Sequence, residues 1–259
     1  MFDFIKKICH IGDDFDYKKI NELLEKENNE KENIVLLTTG SFNPIHRMHL
    51  EIVNIAYKHL KSLNEYNVLC SLISPSADCY VKYKTPLLIP FKTRCEIISL
   101  AIEEYKNQID IPIFLHKWEG SQNKFIDFPE VICEIQNNLN QKCAKKFNKK
   151  IKLVYVCGMD HFCKCRYSFN ENVIAIDRKP FINHGYEDIP DKLIYLVKDE
   201  NNEKSEKYSS TAIREIYTNK ELDDDKKLSM IKEITFKSVA KKVLDFYADH
   251  FKNGGKGMK

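Results

Sequence analysis

Ile34-Val-Leu-Leu-Thr-Thr-Gly40-Ser-Phe-Asn-Pro-Ile-His46-Arg-Met-His49 is the stretch whose reading decides the fold. The apolar run Ile34–Leu37 reads as a buried parallel strand. After Pro44, the residues Leu50, Val53, Ala56, Tyr57 and Leu60 fall three or four apart, as on one face of a helix. A strand therefore turns through Gly40 into a helix, and two histidines stand at the turn. A helix N-terminus offers unpaired N–H groups and a partial positive charge. Backbone amides and two imidazoles at that point make an anion site suited to phosphate. The spacing of His46 and His49 puts them one turn apart on the same side of the helix start.

Outward from this turn, strands and helices alternate. Strands are expected at Ile34–Thr39, Val68–Ser74, Pro112–His116, Lys152–Cys157, Val173–Asp177 and Leu193–Val197. Helices are expected at His46–Lys61, Pro90–Lys106 and Phe128–Phe147. The last two strands are joined by Lys179–Asp191, with little room for a crossover helix. The pattern predicts an α/β fold: a Rossmann-like, doubly wound parallel sheet with a helical C-terminal part. In that C-terminal part Ser209-Ser-Thr211 caps a short helix and Asp223-Asp-Asp225 starts another. A long helix from about Thr235 to Phe251 places Val239, Val243, Phe246 and Tyr247 on one face. Residues 1–32 stand apart as an N-terminal extension, with a polar helix expected between Asp16 and Lys31. Residues 33–259 form a single domain whose tail, 252–259, is expected to fray.

Composition narrows the function classes. The 259 residues are 43% hydrophobic and 31% charged, enough for one sizeable core. Lys and Arg number 41 against 38 Asp and Glu, for a net charge of +3. That balance argues against bulk nucleic-acid or membrane-surface binding. Nine cysteines scattered through expected strands and helices suit reduced, buried thiols. The one close pair, Cys163-x-Cys165, has no further ligands at a recognisable metal spacing. The first residues lack the apolar core and cleavage site of a secretory signal, and no run is long enough to span a bilayer. The expectation is an intracellular protein, cytoplasmic or nuclear, with homo-oligomerisation left open.

In a doubly wound sheet, ligands bind beyond the carboxyl ends of the strands. The chemically loaded segments do follow strands. After the second comes Ser74-Pro-Ser-Ala-Asp78-Cys-Tyr80-Val-Lys82-Tyr-Lys84, in which Lys82 or Lys84 can meet a phosphate as a point charge. After the third comes Trp118-Glu119, a ring able to stack on a flat heterocycle beside a carboxyl. After the fourth comes Gly158-Met-Asp160, where the glycine allows close approach and Asp160 can accept from ribose hydroxyls or cap a helix. Asp177-Arg178-Lys179-Pro180 follows the fifth strand and reads equally well as a solvated turn. Ser209-Ser210-Thr211-x-x-Arg214 joins cap hydroxyls to an arginine one turn inside a helix, an oxyanion clamp.

Taken together and in this order, these motifs resemble the nicotinamide/nicotinate mononucleotide adenylyltransferases of the HxGH-type nucleotidyltransferase superfamily. The match spans about residues 34–217, and the Ser-Pro…Asp-x-Tyr and Trp-Glu elements are similar to the eukaryotic type. The resemblance implies adenylyl transfer from ATP to nicotinamide mononucleotide (NMN) or nicotinate mononucleotide. The products are NAD or deamido-NAD and pyrophosphate. It implies that Ser41, Phe42, Lys82, Trp118 and Glu119 bind the mononucleotide. It assigns Gly40, Phe42, His46, His49, Gly158, Asp160, Ser209, Ser210, Thr211 and Arg214 to ATP and pyrophosphate, with His46, His49 and Arg214 catalytic. Magnesium rides on the ATP phosphates with no protein ligand, and no organic cofactor is implied. The family's second tryptophan has no counterpart here, and Phe162, Tyr167 or Phe169 is expected to substitute for it. Competing readings are a related transferase with another phosphate acceptor or CTP, and a non-catalytic nucleotide-binding protein.

Overall fold

A computed structural model describes residues 15–27, 31–169, 172–177, 192–199 and 207–252. Six strands form one sheet: β1 (Glu32–Gly40), β2 (Tyr66–Pro75), β3 (Ile113–Leu115), β4 (Ile151–Gly158), β5 (Val173–Asp177) and β6 (Ile194–Lys198). Every pairing is parallel, in the order β3-β2-β1-β4-β5-β6. This is the doubly wound, Rossmann-like arrangement expected from the alternation of elements. The central strands β1 and β4 are buried almost throughout, which explains their unbroken apolar runs. The chain leaves β1 toward β2 on one side and reaches β4 on the other. The carboxyl ends of β1 and β4 are thus the switch point of the topology.

Among the described residues, the helices that flank the sheet include α1 (Lys18–Lys26), α2 (Arg47–Leu63), α3 (Asp78–Lys84), α4 (Phe91–Tyr105), α5 (Trp118–Ser121), α6 (Phe128–Leu139), α7 (Met159–Cys165), α8 (Ser210–Thr218), α9 (Asp224–Ile234) and α10 (Lys237–Lys252). One face of the sheet packs with α2, α4 and the C-terminal helices, through residues such as Leu36, Val53, Ile98, Ile213, Phe236 and Val243. The other face packs with α1, α6 and α7, through Val35, Leu37, Ile20, Val131 and Phe162. Ser209 caps α8 by accepting from the Ala212 N–H at 3.0 Å, and Asp223 caps α9 by accepting from Lys226 at 2.8 Å. Both caps fall where the polar triplets foretold them. Among the described residues no helix is long and apolar enough to cross a membrane.

Several elements differ from the sequence reading. The run expected as one helix, Phe128–Phe147, is α6 followed by a π-turn at Asn140–Ala144 and a final short turn, Lys145–Phe147. Helices α3 and α5 lie inside segments read as loops; each is too short for periodicity to register. Between Asp16 and Lys31 the helix is only Lys18–Lys26, and its Ile20 and Leu24, with the preceding Tyr17, are fully or nearly buried against the sheet. Residues 178–180 of the charged turn, the Lys179–Asp191 connection, residues 1–14 and the tail 253–259 lie outside the described residues.

The burial of α1 makes it part of the core. Ile20→Ala removes a fully buried side chain and should lower the unfolding free energy by about 2–4 kcal/mol in urea titrations. A change under ~0.5 kcal/mol would mean that α1 is a dispensable attachment.

Candidate active site

Beyond the carboxyl ends of β1 and β4 a cavity of about 270 Å³ opens to solvent. Thr38, Thr39 and Gly40 of β1 line it beside Tyr155, Cys157 and Gly158 of β4. The start of α2 contributes His46, Met48, His49 and Ile52, and α7 contributes Asp160 and His161. Ser76, Tyr80, Lys84, Glu119 and the segment Phe125–Phe128 complete the lining.

The Gly40–His46 turn is built with little freedom. Phe42 has φ = +44°, a left-handed backbone that non-glycine residues rarely take. Its ring is buried against Gly40, where an added Cβ would sit 3.3 Å from the ring edge. A side chain at Gly40 would make the ring give way by a few tenths of an ångström. The Asn43–Pro44 peptide is cis. Asn43 donates from Nδ2 to the Leu87 carbonyl and accepts from the Ile89 N–H, each at 2.8 Å. His46 is the N-cap of α2, and its N–H donates to His49 Nδ1 at 3.1 Å. The two imidazoles stack with centroids 3.6 Å apart, and Phe42 meets His49 edge-on at 4.9 Å. The paired histidines are thus presented to the cavity as one rigid unit.

The clamp motif near the C-terminus braces this turn. Ser210 Oγ donates to the Pro44 carbonyl at 2.7 Å, and Arg214 Nη1 donates to the Asn43 carbonyl at 2.6 Å. Arg214 Nη2 also donates to Thr211 Oγ1 at 2.9 Å, while Ser209 is occupied as the α8 cap. From α9's end, Thr235 Oγ1 donates to the Ile45 carbonyl at 2.9 Å.

Arg94, on α4, is the residue sequence reasoning missed. It is 0% exposed. Its guanidinium donates to the Ile89, Ser41 and Ser76 carbonyls at 2.7–2.9 Å and to Asp78 Oδ1 at 2.8 Å. Asp78 Oδ2 accepts in turn from the Phe91 N–H at 2.9 Å. An arginine in a helix ordinarily faces solvent, so only the absence of a charged partner on its own face could have hinted at this. Gly120 was missed as well. A Cβ there would collide with the Phe91 ring and the Pro75 carbonyl, so α5 can lie against the end of β2 only with glycine at that position.

Of the residues named from sequence, Gly40, His46, His49, Glu119, Gly158 and Asp160 line the cavity. Ser41, Phe42, Lys82, Trp118, Ser209, Ser210, Thr211 and Arg214 stand behind or beside it. Lys82 is exposed on α3; Lys84, two residues on, is the lysine that lines the wall, with its ammonium 4.1 Å from the Tyr80 ring centre. Trp118 is half-buried against the sheet face that carries α6. Asp160 lies in the first turn of α7, whose N-cap is Gly158. The aromatic neighbours also differ from expectation. Tyr167 is 98% exposed; Phe162 and Phe169 pack on each other outside the lining, with Phe169 also against the lining rings Phe128 and Tyr155. The rings that line it are Tyr80 and Phe125, stacked at 4.4 Å, and Phe128 and Tyr155, stacked at 5.3 Å.

Burial shifts the protonation of several groups at the site, among them His161 and Glu119. Burial lowers the His161 imidazole's affinity for a proton, so it stays neutral more readily than a free histidine. Burial pushes the Glu119 carboxyl up to about 7, against the pull of the Ser74 and Ser76 hydroxyls and the Arg94 charge. Ser74 Oγ donates to Glu119 Oε2 at 2.7 Å. Among the described residues no group of three or more His, Cys, Asp or Glu side chains is placed to hold a metal ion.

The sheet order, the switch-point cavity and the histidine pair at a helix start define a Rossmann-like α/β protein with an anion-directed site. Residues 37–216 match the cytidylyltransferase-like family model, and the chain belongs to that family. It is 33% identical over 113 residues to the bovine (Bos taurus) nicotinamide/nicotinic acid mononucleotide adenylyltransferase 1, covering 44% of this chain and 37% of that protein. It is 27% identical over 131 residues to the Arabidopsis thaliana nicotinamide/nicotinic acid mononucleotide adenylyltransferase, covering 51% of each. The chain thus spans about half or less of these relatives' length. The Plasmodium falciparum nicotinic acid mononucleotide adenylyltransferase, solved in complex with APC, superposes with a TM-score of 0.56 at 19% identity. That superposition covers 83% of this chain and 96% of that one. It shows the shared fold.

Two outcomes follow from the buried charges. Arg94→Met strands three buried carbonyls and Asp78 at once; it should lower stability by about 3–5 kcal/mol in chemical denaturation. A loss below ~1 kcal/mol would show that the clamp is not needed. Glu119 in the folded protein holds a proton up to about pH 7, whereas the usual value is 4.5. Between those values folding takes up a proton, so stability falls as pH rises and the loss is complete above about 7. Glu119→Gln should therefore unfold at nearly the wild-type temperature near pH 4 and at a higher one at pH 8. The difference in stability at pH 8 is on the order of 3 kcal/mol. Equal melting temperatures at pH 8 would refute it.

Proposed function

We propose that this chain transfers the adenylyl group of ATP to a pyridine mononucleotide, NMN, nicotinate mononucleotide or both. The dinucleotide NAD or deamido-NAD forms and pyrophosphate is released. The observation that carries this reading is the stacked His46–His49 pair at the start of α2, facing a cavity at the β1/β4 switch point. The names of the bovine and Arabidopsis relatives support the acceptor.

In the reaction a 5′-phosphate oxygen of the mononucleotide attacks the α-phosphorus of ATP. A new P–O bond forms, and the bond from the α-phosphorus to the bridging oxygen breaks, with that oxygen's electrons leaving on pyrophosphate. The nucleophile is already present on the substrate, so no protein nucleophile is required. The obstacle is electrostatic: two unit charges ~4 Å apart repel by roughly 4 kcal/mol at an effective dielectric of ~20. Catalysis is then positioning and charge stabilisation. The His46 and His49 imidazoles and the α2 amides meet the ATP phosphates. Lys84, at the wall, takes the point-charge role that the motif assigned to Lys82. The resemblance gives Ser41 to the mononucleotide phosphate; its Oγ is buried and without a hydrogen-bond partner among the described residues. Gly158 and Asp160 hold the ATP ribose or base. Arg214 has donors beyond the two bonded to Asn43 and Thr211, and these reach toward the leaving pyrophosphate with Ser209 and Thr211 alongside. Magnesium arrives as part of the ATP substrate, on phosphate oxygens. Trp118 flanks the pyridine side, with Phe125 and Phe128 as the stacking surface that a second tryptophan supplies in the family pattern.

The assay is direct. Incubation with Mg-ATP and either mononucleotide should yield dinucleotide and pyrophosphate in equal amounts; CTP in place of ATP should not support it. Folded His49→Ala should lose ~100-fold or more in kcat, a few kcal/mol of transition-state stabilisation. Near-wild-type turnover of that variant would sink the assignment.

A further inference from the structure

The cavity is lined both by anion-directed groups, His46 and His49 at the α2 N-terminus, and by the acidic Glu119 and Asp127; Glu119 is 3% exposed. Glu119 accepts from Ser74 and has no arginine or lysine hydrogen-bonded to it among the described residues. Its nearest cation, Arg94, points its donors at the Ile89, Ser41 and Ser76 carbonyls and at Asp78. A buried carboxyl with lone pairs toward a ligand cavity, and no cation bonded to it, responds strongly to the charge of whatever enters.

We propose that Glu119 is the group by which this site tells a pyridine carboxamide from a pyridine carboxylate. This rests on the adenylyl-transfer reading above and deepens it. The two mononucleotides differ only in that ring substituent. A carboxamide N–H donates to the Glu119 carboxylate. A nicotinate carboxylate meets it as a like charge, unless Glu119 carries a proton and donates it as a hydrogen bond. The preference therefore depends on the protonation of one buried group. Burial holds that group's transition near neutrality, about 7.

Other titratable groups face the same space. Arg94 from α4 favours the charged form of Glu119, and Asp127 before α6 opposes it. Tyr155 of β4 stays neutral because burial pushes its phenol far up. Lys84, Asp160 and His161 also line the cavity, with His46 and His49. In the adenylyl-transfer reading Asp160, His46 and His49 meet ATP and Lys84 meets a phosphate, parts that are the same whichever mononucleotide is bound. Their titration, and that of the substrate phosphate, cancels when the two substrates are compared as a ratio.

The test measures kcat/KM for NMN and for nicotinate mononucleotide with saturating Mg-ATP between pH 6 and pH 8.5. In the wild-type protein the NMN-to-nicotinate ratio should climb with pH by about tenfold, turning near neutrality. In Glu119→Gln, which cannot ionise, the ratio should be flat. A purely structural role for Glu119 would move both substrates together and leave the ratio's pH dependence intact. A flat wild-type ratio overturns the proposal without any variant, as does a Glu119→Gln protein that keeps the wild-type slope. Should Glu119→Gln not fold, equilibrium binding of the two mononucleotides to wild-type protein at pH 6 and pH 8 decides on the same criterion. Failure of both substrates to give dinucleotide and pyrophosphate at any pH would instead refute the adenylyl-transfer reading itself.

Discussion

A buried guanidinium is the constraint on which the site depends. The parallel sheet brings the carboxyl ends of β1 and β2 side by side, but the chain leaves each strand independently. Arg94 joins them: one nitrogen donates to Ser41 after β1, another to Ser76 after β2, and Nε holds Ile89 at the entry to its own helix. A lysine could not do this, because its single ammonium lacks the planar fork that addresses several carbonyls in fixed directions. Removing the charge from water is unfavourable unless it is paired, and Asp78 supplies the counter-charge. Asp78 also accepts from the first N–H of α4, so helices α3 and α4 are closed into one hydrogen-bonded ring with both loops.

That ring is one part of a wider arrangement around the Gly40–His46 turn. Its carbonyls are turned away from the cavity and taken up by the protein. Gly40 accepts from the Ser76 N–H at 2.9 Å, Ser41 from Arg94, Asn43 from Arg214, Pro44 from Ser210 and Ile45 from Thr235. These partners come from four different parts of the chain. A peptide plane fixed by its carbonyl points its positive end the other way. Capturing the carbonyls thus leaves the turn electropositive toward the ligand space without requiring a net positive protein. It explains how a chain with a net charge of only +3 can build an anion site. It also gives the Ser-Ser-Thr-x-x-Arg motif a structural duty beside any contact with phosphate.

The sheet was legible because each strand is a short apolar run, and buried parallel strands have no other way to look. The histidine turn was legible because glycine, proline and paired histidines between a strand and a helix leave few alternatives. What stayed hidden depends on contacts distant in sequence. Arg94 sits 53 residues from Ser41 and 18 from Ser76, and nothing within α4 says that it faces inward. Lys84 and Lys82 are equivalent in composition; only the short helix α3, undetectable by periodicity, decides which one reaches the wall. Phe125 was passed over because it lies in a polar stretch, and its partner Tyr80 comes from another segment. Phe162, Tyr167 and Phe169 are close in sequence to Gly158, but none of them lines the cavity: Tyr167 is exposed, and Phe169 packs against the lining rings Phe128 and Tyr155.

The same clamp ties the histidine turn to the segment that carries the partners of Glu119. Ser41 belongs to the turn, and Ser76 belongs to the segment whose hydroxyls hold Glu119. Arg94 bonds to the carbonyls of both. A displacement of the β2 loop would therefore move the carboxyl relative to the histidines, and a ligand bound to both would register it. Gly120 tightens this further, because α5 can bring Glu119 onto Ser74 only where no Cβ separates it from Pro75 and Phe91. The anion-directed histidine turn and the acidic Glu119 are thus held in register by a buried cation, Arg94, that is not among the residues lining the cavity. This is how a site can recognise a phosphate and a ring substituent on the same molecule with little rearrangement.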